Sequence, residues 1–131
     1  MSVASSAVYL LDAAAAAAYG RGINTPQRKR PPANIHNDEA ASRRAGFRAP
    51  IAAGEQTIAV AAQFLVEQFR DRFARGGALE VTLTRPVFFG DTLIVQIEND
   101  LRANGIEHLR VWVENQSHER VLEGTARVRT A

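Results

Sequence analysis

A histidine and two carboxylates near predicted helix starts are the residues whose types and spacing could support proton transfer. His36 lies between two asparagines in the run NIHND, and an imidazole changes its charge close to neutral pH, so it can both accept and donate a proton. Asp38 follows two residues later, where it either exchanges protons or caps a short helix. Glu55 follows Gly54, which is expected to open a longer helix. These three side chains are the candidate acids and bases.

Helices and strands must position these groups. Asp38 is expected to cap a short helix that ends at Gly46, and apolar residues at helical spacing predict a longer helix of about five turns from Gly54 to Arg75. An alanine-rich run at residues 12–19 predicts another helix. Alternating apolar residues predict four antiparallel strands within residues 78–87, 91–100, 108–116 and 120–130. The pattern indicates an α+β domain with the long helix packed on a sheet.

Composition limits the kinds of site that the chain can form. A length of 131 residues with 46% hydrophobic and 23% charged residues indicates one domain, residues 1–131. Cysteine is absent, which excludes disulfides and thiol chemistry. The three histidines are widely separated and form no metal-ligand motif, so we expect no metal site.

One basic cluster stands apart from an otherwise mixed charge pattern. Arg28, Lys29 and Arg30 lie in a loop rich in glycine and proline at about residues 20–33. The cluster is interpreted as a solvated loop, as a phosphate contact, or as a nucleic-acid contact. The formal net charge is only +2, and the other arginines are scattered among acidic residues, so we expect no nucleic-acid partner.

No membrane segment or secretory signal is expected from the sequence. The longest candidate, residues 10–20, is interrupted by Asp12 and is shorter than the roughly 20 residues that a span needs. It also lacks the preceding basic residues of a secretory signal. We therefore expect a cytoplasmic protein.

Two motifs carry a family resemblance. The first is H-x-D before the short helix, then G-F, then P-I-A-x-G at the start of the long helix, and it begins at His36 and ends at Gly54. The second is P-V-x-x-G-D, from Pro86 to Asp91. Over about residues 34–97 the chain resembles the MaoC-like, R-specific enoyl-thioester hydratases and dehydratases of the hotdog fold.

The resemblance implies a fold and a reaction. The fold is a curved antiparallel sheet wrapped around one long central helix, usually in dimers with an acyl tunnel. In such hydratases an Asp activates water for attack at C3 of the enoyl thioester, and a His five residues later exchanges the proton at C2. A backbone N–H at the start of the central helix holds the thioester oxygen, where unpaired donors and the positive helix end stabilise an oxyanion. The resemblance assigns these last two roles to His36 and Gly54.

The chain departs from the family pattern at the expected base. Pro31 stands five residues before His36, where the family has Asp, Asn34 stands where it has Pro, and Ala53 occupies a position that is often His. Three alternatives follow. A carboxylate from elsewhere could serve as base, with Glu55 better placed than Asp38; Glu55 could support a hotdog thioesterase; or the chain could be a non-catalytic acyl-thioester-binding or partner subunit of a hetero-oligomeric hydratase.

We interpret the chain as a dehydratase or hydratase of an enoyl or 3-hydroxyacyl thioester. Coenzyme A or an acyl carrier protein would carry the substrate, with no cofactor beyond that carrier. We expect a homodimer, or a hetero-oligomer with a second hotdog chain. The candidate substrate contacts are Gly54, Asn34, Ala53, Phe88, Phe89, Arg28, Lys29 and Arg30.

Overall fold

The structure of the chain, a computed structural model, describes residues 3–11 and 33–131. The predicted helix at 12–19 and the basic cluster Arg28, Lys29 and Arg30 lie outside these ranges, as does Pro31. Within them the elements follow one another as β1 (Val3–Leu11), α1 (Glu39–Arg44), α2 (Gly54–Phe69), α3 (Asp71–Ala74), β2 (Ala78–Leu83), β3 (Asp91–Ala103), β4 (Ile106–Glu114) and β5 (Arg120–Arg129).

All described strands belong to one antiparallel sheet in the order β1-β3-β4-β5-β2. The predicted α+β class and all four predicted strands are confirmed. Strand β3 shows the expected alternation, because every second residue from Asp91 to Ile97 is buried. Its hairpin with β4 turns at Asn104 and Gly105, whose φ angles of 56° and 77° are those that tight hairpin turns require.

The core lies between α2 and the sheet. Ala61, Phe64 and Leu65 of α2 are buried and belong to one apolar cluster with Leu93, Val95 and other strand residues. Because these positions are spaced three or four apart, they line one face of the helix. This packing fixes the start of α2 relative to the sheet.

Strand β1 is an addition to the predicted elements. It pairs antiparallel with β3, from Val3 opposite Glu98 to Leu11 opposite Asp91. The run VASSAVYLL has too little alternation to reveal a strand by pattern alone, so long-range pairing with β3 decides its structure.

The long helix is shorter than predicted. It ends at Phe69, because Arg70 adopts a φ of 53° and the chain restarts as the short helix α3. Phe73 of α3 still packs against the core. Its apolar side chain therefore continues the helical periodicity across a break that the pattern does not reveal.

The segment after β2 leaves the sheet earlier than predicted. Strand β2 ends at Leu83 instead of continuing to Val87, and Pro86, which follows, has no N–H for a sheet ladder. Leu83 is 45% exposed, although its spacing predicted the same buried face as Leu79 and Val81. Val87 is buried beyond the strand, beside the segment that leads into α2.

Candidate functional site

His36 lies in a tight turn immediately before α1. The carbonyl of Asn34 accepts hydrogen bonds from the backbone N–H groups of Asn37 and Asp38, at 3.2 and 3.0 Å. The side-chain oxygen of Asn34 accepts from the N–H of His36 at 2.8 Å. Asn34 thus shapes the turn that presents a half-buried His36.

The hydrogen bond of the His36 ring identifies its reactive nitrogen. Nδ1 lies 2.9 Å from the carbonyl oxygen of Ile51. A carbonyl oxygen only accepts hydrogen bonds, so Nδ1 carries the proton and Nε2 of the neutral ring keeps its lone pair. His36 can therefore accept or donate a proton at Nε2 while Nδ1 stays bonded.

Residues 51–53 form a short extended segment held from two sides. The N–H of Ile51 donates to Ile35 at 3.0 Å, and the N–H of Ala52 donates to the carbonyl of Val87 at 2.8 Å. Ile51 also forms an isolated antiparallel bridge with Phe88. These bonds fix the carbonyl that orients His36.

The same segment leads directly into the N-terminus of α2. The half-buried Ala53 is its N-cap, and the Ala53 N–H donates to Oε1 of Gln56 at 3.2 Å. In the part of the chain that the structure describes, the N–H groups of Gly54 and Glu55 have no acceptor. The first turn of α2 therefore offers two donors at the positive end of the helix.

Gly54 has a close neighbour that the sequence did not indicate. A Cβ atom at position 54 would lie 2.5 Å from Cδ1 of Leu83, closer than any real contact. The half-exposed Leu83 therefore packs over the backbone that carries the free N–H groups. The tip of this exposed side chain can rotate away, so the contact does not by itself require glycine at this position.

The two candidate carboxylates differ in what they contact. Oδ2 of Asp38 accepts from the N–H of Ala41 at 2.9 Å, so Asp38 caps α1. Glu55 is exposed in the first turn of α2, and its carboxylate makes no hydrogen bond or ion pair with a described residue. Of the two, Glu55 is the carboxylate free to react.

Phe88 and Phe89, the two phenylalanines predicted to line an acyl tunnel, lie in different environments. Phe89 is half-buried and packs against the core. The ring of Phe88 carries the guanidinium of Arg48, whose central carbon lies 3.7 Å from the ring centroid. Phe88 thus lies between the segment that orients His36 and an exposed arginine.

Asp91 supports this arrangement, although the sequence identifies it only as the last residue of the P-V-x-x-G-D motif. It is 6% exposed, and its Oδ2 accepts from the N–H of Phe88 at 2.9 Å while its Oδ1 accepts from Gln116 at 2.9 Å. A buried carboxylate whose oxygens are both hydrogen-bonded fixes local backbone strongly. The Gly90-Asp91 pair at the start of β3 is the feature of the sequence from which Asp91 could have been proposed.

The remaining histidines lie elsewhere. His108 is half-buried in β4, and His118 is exposed in the loop between β4 and β5. Among the described residues, no group of three His, Asp or Glu side chains is placed to hold a metal ion. No described helix is long and apolar enough to cross a membrane.

Comparison with known proteins agrees with the fold and with the motifs. The family model of the MaoC-like domain matches residues 32–121. No curated protein sequence matches the chain.

Solved structures extend the similarity over the whole length. An (R)-hydratase from A. caviae involved in PHA biosynthesis has 22% identity and a TM-score of 0.73, with 100% of this chain and 98% of that chain covered. R-hydratase PhaJ1 from Pseudomonas aeruginosa has 20% identity and a TM-score of 0.72, with 99% and 82% covered. In the ChsH1-ChsH2 complex from Mycobacterium tuberculosis, one chain has 11% identity and a TM-score of 0.78, with 99% and 96% covered. These similarities confirm the predicted hotdog fold.

Proposed function

The chain belongs to the MaoC-like domain family, and on that premise we propose that it hydrates an enoyl thioester or, in reverse, dehydrates a 3-hydroxyacyl thioester. The observation that carries the proposal is the segment 51–54. Its Ile51 carbonyl orients His36, and its Gly54 N–H is a free donor at the start of α2. One segment thus orients the proton-exchanging group and supplies the oxyanion donor.

The proposed hydration has two proton transfers. Water adds its oxygen to C3 and loses a proton, while C2 gains a proton and the thioester oxygen carries negative charge in between. The Gly54 N–H stabilises that oxygen, because the donor is oriented before charge develops. His36 first takes up a proton at Nε2, from the attacking water or from solvent, and then delivers it to C2, with Nδ1 held on Ile51 throughout.

Two groups are candidates for taking the proton from water. Glu55 lies in the first turn of α2 and has no described partner. Nε2 of His36 is the other, since it could accept the proton of water and return it to C2. Loss of hydration in Glu55→Gln would assign the base to Glu55, and retained hydration would leave His36 to act alone.

Replacing His36 with Asn tests the proposal. The Asn amide N–H can take the place of Nδ1 toward Ile51 but cannot exchange a proton, so we expect a loss of about 10²–10⁴-fold in kcat. The measurement is the decrease in enoyl absorbance of a short enoyl-CoA. His118→Asn is the matched control, because His118 is exposed with φ of 61°, a conformation that Asn tolerates. A His36→Asn rate close to wild type would refute the role of His36.

Thioester hydrolysis is the second candidate, and the unpartnered Glu55 favours it. A carboxylate beside free helix N–H groups could activate water for attack at the thioester carbonyl. In that case a saturated acyl-CoA would release free thiol, and Glu55→Gln would abolish the release. Thiol release without enoyl hydration would replace the hydratase proposal.

We further propose that the functional unit is a homodimer, with coenzyme A or phosphopantetheine present only as part of the substrate. Strand β2 is an edge of the described sheet, and its Leu83 is 45% exposed beside Gly54. A second copy on this side would cover apolar surface next to the site. A different hotdog chain as partner is the alternative, and the structurally similar ChsH1-ChsH2 complex is composed of two named chains.

A further inference from the structure

A surface cleft of about 280 Å³ opens on the side of Phe88. Its walls come from the segments around Arg48 and Arg85, from Asp91, and from the loop between β4 and β5 that includes Gln116 and Glu119. Apart from Phe88, none of the lining residues was predicted as a site residue from the sequence. The cleft lies outside the proton-transfer groups, yet it shares Phe88 with the segment that positions them.

In this cleft Arg48 is oriented by stacking on Phe88 but has no ion-pair partner among the described residues. Its guanidinium stacks on Phe88 with 3.7 Å between the central carbon and the ring centroid, and it forms no ion pair with a described carboxylate. Stacking occupies a face of the guanidinium and leaves its N–H edges available, the geometry with which arginine binds phosphate. Arg48 is therefore held in place for an anion that the described chain does not supply.

The acidic residues of the cleft already have partners. The carboxylate of Asp91 accepts from Phe88 and from Gln116. The carboxylate of Glu119 accepts from Nδ2 of Asn115 at 3.1 Å and lies 3.7 Å from Nε of Arg85. Both carboxylates contact other groups, and neither forms an ion pair with Arg48.

The cleft is linked to the site by one short backbone path. Phe88 pairs with Ile51, and the carbonyl of Ile51 accepts from His36. A ligand whose thioester lies at Gly54 and whose arm runs past Phe88 would bring the far end of that arm toward Arg48. In a carrier-bound thioester the group beyond the flexible arm is a phosphate.

We propose that Arg48, stacked on Phe88, binds a phosphate of the thioester carrier. This inference rests on the proposed function and names the part of the substrate that the cleft recognises. The phosphate belongs either to coenzyme A or to the phosphopantetheine arm of a carrier protein, because both present the same charged group.

The first test compares thioesters with and without phosphate. Arg48→Gln should raise the KM for a short enoyl-CoA about tenfold, the loss expected for one charge-assisted hydrogen bond. The same variant should leave the KM for the corresponding N-acetylcysteamine thioester unchanged, since that thioester has no phosphate. Arg44→Gln is the matched control, because Arg44 is an exposed arginine of α1. An unchanged KM for enoyl-CoA, or an equal rise for both thioesters, would overturn the proposal.

Direct binding separates this proposal from the proposed function. Calorimetric titration with free coenzyme A, phosphopantetheine and unphosphorylated pantetheine requires no turnover. We expect Arg48→Gln to weaken the binding of coenzyme A about tenfold and to leave the binding of pantetheine unchanged. If the variant loses the same affinity for phosphopantetheine, the contact is to the phosphate of the arm. If it loses affinity only for coenzyme A, the contact is to the nucleotide phosphates. The inference is refuted if wild type and variant bind coenzyme A with equal affinity, or if the wild type does not bind it. If binding depends on the phosphate but no turnover occurs, only the hydratase proposal is refuted.

Discussion

At the scale of single residues, the proposed chemistry depends on which polar atoms remain without a hydrogen bond to a described neighbour. Ile51 occupies Nδ1 of His36 through a carbonyl, and this directs proton exchange to Nε2. Gln56 satisfies the N–H of Ala53, and this leaves the N–H groups of Gly54 and Glu55 as the donors at the helix start. Neighbouring polar groups thus define the reactive atoms.

Gly54 and Leu83 provide a test of packing at the proposed oxyanion donor. Gly54→Ala should change the free energy of unfolding by less than about 1 kcal/mol, because the overlapping atom is the tip of the Leu83 side chain, which is 45% exposed and can rotate away. The double variant with Leu83→Ala should therefore show little coupling. Urea unfolding of both single variants and the double variant measures the coupling. A loss above about 2 kcal/mol in Gly54→Ala that Leu83→Ala recovers would show that Leu83 packs rigidly over Gly54.

Sequence reasoning reached some of these residues and missed others for identifiable reasons. His36 and Gly54 lie in contiguous motifs, so the chain order is enough to propose them. Leu83, Arg48 and Asp91 are brought to the site by folding, through the early end of β2 and the turn before β3. Such contacts between distant segments leave no pattern in one sequence.

At the scale of elements, the start of α2 is fixed by the chain on both sides of it. The N–H of Ile51 bonds to the turn that contains His36, and the N–H of Ala52 bonds to Val87 in the segment after β2. The segment 51–53 is thereby held between two other parts of the chain, which define what we call the clamp. The position of the proposed catalytic groups therefore depends on this clamp as well as on α2.

Asp91 is the side chain on which one half of the clamp depends. Asp91→Ala should cost about 1–3 kcal/mol of stability, because the N–H of Phe88 would lose its acceptor in a partly buried turn. It should also lower kcat more than it raises the KM for an N-acetylcysteamine thioester, as Ile51 and His36 lose their support. Denaturant unfolding and steady-state kinetics measure the two effects.

Glu123→Ala is the matched control for Asp91→Ala. Glu123 is an exposed carboxylate that pairs with Arg120 at the surface, so its loss should change stability by less than about 1 kcal/mol. Wild-type kcat and stability in Asp91→Ala would contradict the clamp.

Element prediction from the sequence succeeded where periodicity and caps agreed. Asp38 and the apolar spacing gave α1 and the start of α2, and both were confirmed. The break at Arg70 and the strand β1 were missed, because a left-handed residue and a long-range strand pairing override local preference.

At the scale of the whole molecule, the described sheet ends at β1 on one side and at β2 on the other. The free edge β2 carries Leu83 beside Gly54. A partner on that edge would therefore complete both the sheet and the surroundings of the site.

A homodimer has a simple signature in solution. Light scattering after size exclusion should give twice the 14.3 kDa mass of the chain. Leu83→Glu should shift the protein toward the monomer, because the substitution would place a charge where a partner on the β2 edge would cover the exposed Leu83 side chain. Val66→Glu is a control of the same chemistry, since Val66 is 41% exposed on α2. A monomer in the wild type would favour assembly with a different hotdog chain.

The central claim is that His36 transfers the proton in the hydration of an enoyl thioester. The most direct measurement is incubation of a short enoyl-CoA with the protein in deuterated water, followed by NMR of the product. We expect the wild type to form a 3-hydroxyacyl thioester with one deuterium at C2, and His36→Asn at equal folded concentration to form it at least about 10²-fold more slowly. Equal deuterated product from both proteins would contradict it.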